Sequence, residues 1–242
     1  MKGRHGYPRD VTIRGLAALP APGALLFDLD GTLVDTVGRR VKGWHAAFAE
    51  IGIAADRDRI AALIGSDGKR LAREVSRAAG HSLAEAVIER VDRRAGALFS
   101  ALNRDPQPLP GAAELLQALL DGSLPFAIAT SSLGAQVTAS VDALLLPHRP
   151  TVVDGEHVEH AKPAPDLLLL AAERMGTPPR RCWYVGDAVW DFLACRAAGM
   201  TGVAVPTGAA TADELLAAGA DVAIDSLDEL AAELRRRGFL AG

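Results

Sequence analysis

The sequence predicts an α/β fold, an open parallel sheet with helices on both faces, because short apolar runs alternate with helical patterns. The first run is Ala24–Phe27, and an acidic stretch follows it directly. Similar runs, bounded by Gly, Pro or polar residues, recur at residues 126–130, 151–153, 183–185, 202–205 and 222–224. Continuous apolar runs of this length are typical of strands buried on both faces, and strands that alternate with helices form βαβ units.

Helical periodicity fills the segments between these runs. It covers residues 112–120, 135–144, 165–175, 191–198, 212–218 and 227–237. These lengths suit helices that cross from one parallel strand to the next, so each βαβ unit of the predicted sheet has its connecting helix.

One long stretch, residues 36–110, breaks the alternation. It has no strand pattern and shows only helical periodicity, at residues 37–51, 57–63, 69–79 and 83–102. Two prolines and a Pro-Gly pair close it, which indicates a hinge or linker. We therefore expect a small all-α cap domain at 36–110, placed as a lid on a core of residues 24–35 and 111–242. Residues 1–23 are expected to be a flexible N-terminal tail.

Composition limits the classes of partner. The 242 residues are 49% hydrophobic, and 26 basic against 30 acidic residues give a net charge of -4, so no nucleic-acid partner is expected. No run approaches the roughly 18 apolar residues of a membrane span, and no signal-peptide pattern opens the chain. Cys182 and Cys195 form no C-x-x-C pair and are expected to be buried free thiols. These features predict a cytoplasmic protein. A monomer or a homodimer is expected, and no feature of the sequence distinguishes the two.

Polar residues follow several of the predicted strands at the point where each strand ends. They are Asp28 and Asp30 after the first run, Thr130 with two serines after the second, Asp187 and Asp191 after the fourth, and Lys162 in a loop. Parallel strands bring their carboxyl ends to one edge, where ligands bind. Several carboxylates together repel one another unless a cation lies among them, and an all-oxygen site favours Mg2+.

Four short motifs resemble the signatures of the haloacid dehalogenase-like (HAD) superfamily in its phosphatase form. They are Asp28-Leu29-Asp30-Gly31-Thr32-Leu33-Val34-Asp35, then Ala129-Thr130-Ser131-Ser132, then Lys162-Pro163, and finally Gly186-Asp187-x-x-x-Asp191. The resemblance spans about residues 24–240, and the helical insert is similar to the family's cap. It implies a Rossmann-like HAD core and a Mg2+-dependent phosphohydrolase that acts on a small phosphorylated metabolite.

The resemblance also implies residue roles. Asp28 would be the nucleophile that carries an aspartyl-phosphate, and Asp30 would be the acid and base. Mg2+ would be held by Asp28, the backbone carbonyl of Asp30 and Asp187.

Further roles concern the phosphate. Thr130 and Lys162 would hold the transferring oxygens, and Thr32 and Ser131 would take part in binding the phosphate or substrate. Asp191 would orient metal-bound water or Lys162.

Substrate choice is expected to lie in the cap. Its loop at residues 64–70 resembles a cap loop that contacts the leaving group, so Lys69 is the first candidate contact, with Arg70 and His45 behind it. Arg40 stands where sugar-phosphate mutases of the family commonly carry a histidine, and its role, substrate contact or solvated arginine, stays open. A β-phosphoglucomutase-like mutase and a non-catalytic phospho-ligand-binding module are the alternatives to a phosphatase.

Overall fold

The computed structural model describes residues 15–241. Six parallel strands form one open sheet in the order β3-β2-β1-β4-β5-β6. The strands are β1 (Ala24–Phe27), β2 (Phe126–Ala129), β3 (Thr151–Val153), β4 (Cys182–Gly186), β5 (Thr201–Ala204) and β6 (Val222–Ala223). The predicted α/β class and parallel sheet are confirmed. β1 lies between β2 and β4, so the residues that follow it lie at the middle of the sheet edge.

Helices cover both faces of the sheet, and alternation along each strand assigns its side chains to one face or the other. The core helices are α5 (Ala112–Asp121), α6 (Gly134–Asp142), α7 (Asp166–Arg174), α8 (Val189–Ala198), α9 (Ala212–Ala218) and α10 (Leu227–Arg236). Leu25 and Phe27 pack with α5, α6 and α10, whereas Leu26 and Tyr184 pack with α7, α8 and α9.

Four helices occupy the segment between β1 and α5. They are α1 (Val37–Ala49), α2 (Arg57–Ala61), α3 (Gly68–Ala78) and α4 (Glu85–Leu102). Their apolar faces form a separate cluster around Phe48, Ile60 and Val75, so this insert has a small core of its own. Trp190, from α8 of the sheet domain, joins that cluster and donates its Nε1–H to the carbonyl of Ala62 at 3.1 Å. The helical insert is thereby seated on the carboxyl edge of the sheet.

Residues 15–23, which precede β1, pack against the core of the sheet domain. Leu16 is 3% exposed and belongs to the core cluster that contains α10. Arg237 donates to the carbonyls of Leu16 and Leu19, and the Trp183 indole donates to the carbonyl of Pro20. The expected flexible tail is therefore wrong for residues 15–23, because an apolar side chain is buried there. Residues 1–14 lie outside the described residues.

Two further features concern the described part of the chain. Cys182 and Cys195 are buried free thiols, as predicted. Within residues 15–241, none of the helices combines the length and the apolar character that crossing a membrane requires.

The packed N-terminal segment gives a stability prediction. Leu16→Ala removes a buried leucine, so we expect the free energy of unfolding to fall by about 2–5 kcal/mol. Leu145→Ala, at a side chain that is 87% exposed, serves as the control and is expected to change it by less than about 0.5 kcal/mol. Urea denaturation followed by circular dichroism measures both. Equal effects of the two substitutions would contradict the packing of this segment.

Candidate active site

The carboxyl edge of the sheet gathers the polar residues that the sequence singles out. Asp28 follows β1, Thr130 follows β2, and Asp187 follows β4. A loop ahead of α7 brings Lys162 to the same place. All four side chains are buried, as are those of Asp30 and Asp191. The sheet topology therefore assembles the predicted site.

Lys162 lies between two carboxylates and is fully buried. Its Nζ donates to Oδ1 of Asp28 at 2.6 Å and to Oδ1 of Asp191 at 2.8 Å. Burial alone would lower the pKa of this lysine, but the carboxylates of Asp191 and Asp28 outweigh burial and raise it. The ammonium is therefore a fixed positive charge beside the predicted nucleophile.

Each carboxylate oxygen of Asp191 accepts two hydrogen bonds. Oδ1 accepts from Lys162 and from the hydroxyl of Tyr184, and Oδ2 accepts from the backbone N–H groups of Asp187 and Ala188. A carboxylate with four donors has little capacity left for a metal ion. Among the described residues, the contact of Asp191 with a predicted catalytic side chain is its hydrogen bond from Lys162.

Asp28 and Asp187 each keep one oxygen with no donor among the described residues. Oδ1 of Asp187 accepts from Thr32 at 2.6 Å, and Oδ1 of Asp28 accepts from Lys162. One oxygen from each of Asp28, Asp187 and Asp191 lies within 4.8 Å of the others. Burial and the nearby carboxylates raise the pKa of Asp28 to about 7, and they raise the pKa of Asp187 well above its usual range. Closely spaced carboxylates whose oxygens are not all hydrogen-bonded fit a hard divalent cation.

Asp30 has both oxygens occupied. Oδ1 accepts from Thr36 at 2.6 Å, and Oδ2 accepts from Arg40 Nη2 at 2.7 Å and from the hydroxyl of Ser132. Burial opposes ionisation of this carboxyl, but the Arg40 guanidinium and the three hydrogen bonds outweigh burial and hold its pKa below the usual value. Asp30 is therefore an ionised, hydrogen-bonded carboxylate.

Arg40 reaches into this site from α1 of the helical insert, the predicted cap. Besides Asp30, its guanidinium donates to Ser132 and, at 3.1 Å, to Oε1 of Gln136, and it lies 3.9 Å from the centroid of the Phe99 ring. Arg40 therefore faces the site and is not a solvated surface arginine. In the sequence, the arginine at a position where one branch of the family carries histidine was the signal that pointed to Arg40. No feature of the sequence pointed to Gln136.

A cavity of about 480 Å³ opens between the sheet edge and the cap. Asp28, Asp30, Arg40, Thr130 and Ser131 are among the residues that line it.

The three cap residues predicted to contact substrate do not line this cavity. Lys69 pairs with Glu89 at 2.8 Å, and Arg70 pairs with Glu74 and stacks on Trp190. His45 lies half-buried on α1. The structure therefore does not bring these three side chains to the cavity, because the helices of the insert direct them elsewhere. Arg40 is a residue of the same insert that does line the cavity.

Comparison with known proteins agrees with this geometry. The model of the haloacid dehalogenase-like hydrolase family matches residues 25–205. The fructose-1-phosphate phosphatase of Escherichia coli is 35% identical over 184 residues, which are 75% of this chain and 95% of that protein. A phosphoglycolate phosphatase of Xanthomonas campestris is 32% identical over 195 residues, 80% of this chain and 87% of that protein. The crystal structure of a hydrolase from Pseudomonas syringae superposes with a TM-score of 0.83 at 34% identity, covering 88% of this chain and 98% of that one.

Buried aspartates and a lysine at the edge of a parallel sheet, beneath a helical insert, form the candidate active site of an α/β enzyme. The chain belongs to the haloacid dehalogenase-like hydrolase family. Its enzyme class is that of a phosphoric monoester hydrolase, as predicted.

Gly208 gives a prediction about Asp187. A Cβ at position 208 would collide with Oδ2 of Asp187, so Gly208→Ala displaces a carboxylate of the site. We expect phosphatase activity to fall roughly a hundredfold while the far-ultraviolet circular dichroism stays unchanged. Gly38→Ala, where a Cβ meets nothing within 4 Å, is the matched control and should keep full activity. An active Gly208→Ala enzyme would show that the position of Asp187 is not critical.

Proposed function

We propose that this protein is a Mg2+-dependent phosphatase that releases phosphate from a small phosphorylated metabolite through an aspartyl-phosphate on Asp28. The observation that carries the proposal is the Asp28 carboxylate, buried beside Lys162 with one oxygen that receives no donor from the described residues. A carboxylate held in this way is available as a nucleophile.

The proposed reaction has two steps. An oxygen of Asp28 attacks phosphorus and the bond from phosphorus to the ester oxygen breaks. Asp30, which is ionised in the structure, first takes up a proton from solvent and then gives that proton to the departing oxygen. Asp30 then takes a proton from a water molecule, whose oxygen attacks phosphorus and returns Asp28 as a free carboxylate with release of phosphate. Lys162 and Thr130 offset the charge on the phosphoryl oxygens.

The cation would be held by Asp28, Asp187 and the backbone carbonyl of Asp30. When bound, it neutralises charge among the carboxylates and on the phosphate. Asp191 would orient Lys162, since its own oxygens already accept four hydrogen bonds.

The substrate would be a sugar phosphate or a metabolite of similar size. The named activities of the relatives and the cavity of about 480 Å³ support this range. Two buried free thiols support a reducing compartment, so we place the enzyme in the cytoplasm.

The nucleophile is tested by Asp28→Asn. We expect phosphate release from a panel of sugar and short-chain phosphates, measured in the presence of Mg2+, to fall by at least about 10⁴-fold, because an amide cannot accept the phosphoryl group. Asp142→Asn replaces an exposed aspartate outside the site and should keep wild-type turnover.

Three outcomes separate the alternatives. An active Asp28→Asn enzyme would contradict the assignment of Asp28 as the nucleophile. Isomerisation of hexose 1-phosphates without net phosphate release would favour the mutase. Binding of phosphate esters without turnover by the wild-type protein would favour the non-catalytic module.

Cation binding is expected to depend on pH. Because the folded pKa of Asp28, about 7, exceeds its usual value of 3.8, the metal-free fold is favoured at low pH and loses stability as pH rises through about 7. A cation relieves that loss only where the carboxylates are ionised. We expect MgCl2 to raise the melting temperature by roughly 4 °C or more at pH 8, and by much less at pH 5.5.

Differential scanning fluorimetry with and without chelator measures this difference. Asp187→Asn should remove most of the shift at pH 8, and Asp142→Asn should leave it unchanged. Equal shifts at the two pH values would argue against cation binding by these carboxylates.

A further inference from the structure

A second and smaller cavity, of about 80 Å³, lies between the helical insert and the sheet domain. Asp187 lines this smaller cavity, whereas Asp28 and Asp30 line the larger one, and Ile64 lines both. The carboxylates of the site therefore border two cavities. Under the proposed function the larger cavity receives the phosphate ester, which leaves the smaller one without a role.

The free oxygen of Asp187 lies on the side of the smaller cavity. Its Oδ1 accepts a hydrogen bond, and its Oδ2 has no donor among the described residues. A Cβ on Gly31 or on Gly208 would collide with Oδ2, so this oxygen lies against the backbone of both glycines. The same Cβ on Gly31 would collide with Val37, and Val37 lines the smaller cavity together with Ala209, the residue after Gly208. The oxygen available to a cation is therefore next to the lining of this cavity.

The lining of the smaller cavity is apolar except for two carboxylates. Asp187 is buried at its inner end, Glu214 is exposed at its outer end, and no basic residue of the described chain lines it. Oε2 of Glu214 accepts from the N–H and the hydroxyl of Thr211, and these bonds hold the pKa of Glu214 below its usual value. Negative charge at both ends attracts a cation and repels a phosphate ester.

We propose that the smaller cavity is the passage through which a divalent cation reaches Asp187 and leaves it again. A cavity of about 80 Å³ has room for a few water molecules, so a cation can enter with part of its hydration shell. The cation and the ester then approach the carboxylates from different sides. The inference rests on the proposed function, because that function assigns a cation to Asp28 and Asp187.

A passage controls rates and leaves the binding equilibrium unchanged. Narrowing it slows association and dissociation of the cation by the same factor, so the Kd stays at the wild-type value. Distortion of the carboxylates would instead change the Kd. Measuring the rate constants and the Kd together therefore separates a passage from a merely structural role of the same residues.

The first test narrows the cavity from the insert with Ala62→Leu, at an exposed alanine of the lining. We expect both rate constants for Mn2+, used as the probe, to fall at least about tenfold with an unchanged Kd, because the added carbon atoms fill the passage. Stopped-flow mixing of the Mn2+-loaded protein with a coloured chelator gives the dissociation rate constant. Electron paramagnetic resonance of free Mn2+ gives the Kd, and the two values give the association rate constant.

Ala54→Leu is the matched control for this substitution. Ala54 is an exposed alanine of the same insert and lines neither cavity, so Ala54→Leu should keep the wild-type rates.

The second test removes the charge at the outer end with Glu214→Gln, since glutamine can still serve in the capping box of α9. We expect the association rate constant of Mn2+ to fall about two- to fivefold at low salt and by less at high salt, because a charge that steers the cation is lost. Asp213→Asn is the matched control. Asp213 is an exposed acid of the same helix that does not line the cavity, so it should have a smaller effect.

Wild-type rate constants in folded Ala62→Leu would overturn the inference and leave the phosphatase assignment standing. A slower rate that is matched by a changed Kd would do the same. If Ala62→Leu does not fold, the second test decides, and equal association rates for Glu214→Gln and Asp213→Asn would overturn the inference. A wild-type protein that binds no Mn2+ would instead overturn the proposed cation site, and the inference with it.

Discussion

The site depends on the buried ion pair that Lys162 makes with Asp28 and Asp191. Taking three charges out of water is costly, and only close pairing with further hydrogen bonds offsets the cost. Tyr184 and two backbone N–H groups supply those bonds to Asp191. The ion pair joins the end of β1, the start of α8 and the loop of Lys162, so removing Lys162 leaves two buried carboxylates without their common cation.

The same lysine also links the sheet to the cap. Its backbone carbonyl accepts from the N–H of Asp67 at the start of α3, while Trp190 of α8 packs in the apolar cluster of the cap. The position of the cap on the sheet and the position of the buried Lys162 ammonium therefore depend on each other. Arg40 makes a second connection on the other side of the cavity, where a cap side chain binds the carboxylate of Asp30. Both contacts join the insert to the carboxyl edge of the sheet, so the position of the insert and the geometry of the site depend on each other.

The adjacent arginines of α1 show what a helical pattern leaves undecided. Consecutive residues on a helix point about 100° apart, so Arg39 and Arg40 face different surroundings. One binds backbone carbonyls near the end of the insert, and the other enters the active site. The pair Lys69 and Arg70 shows the converse, since both lie in a segment that resembles a substrate-contacting loop. Lys69 pairs with Glu89 on the neighbouring helix α4, and Arg70 pairs with Glu74 on its own helix α3.

The sequence by itself determined the parallel sheet, the helical insert and the set Asp28, Asp30, Thr130, Lys162 and Asp187. It could do so because strand ends are read from local apolar runs, and parallel strands all end at one edge. Only the tertiary structure decided which cap residues face the cavity and that residues 15–23 are packed. Those outcomes depend on how distant segments meet, through contacts such as Arg40 with Gln136 or Arg237 with Leu16, which no local pattern records.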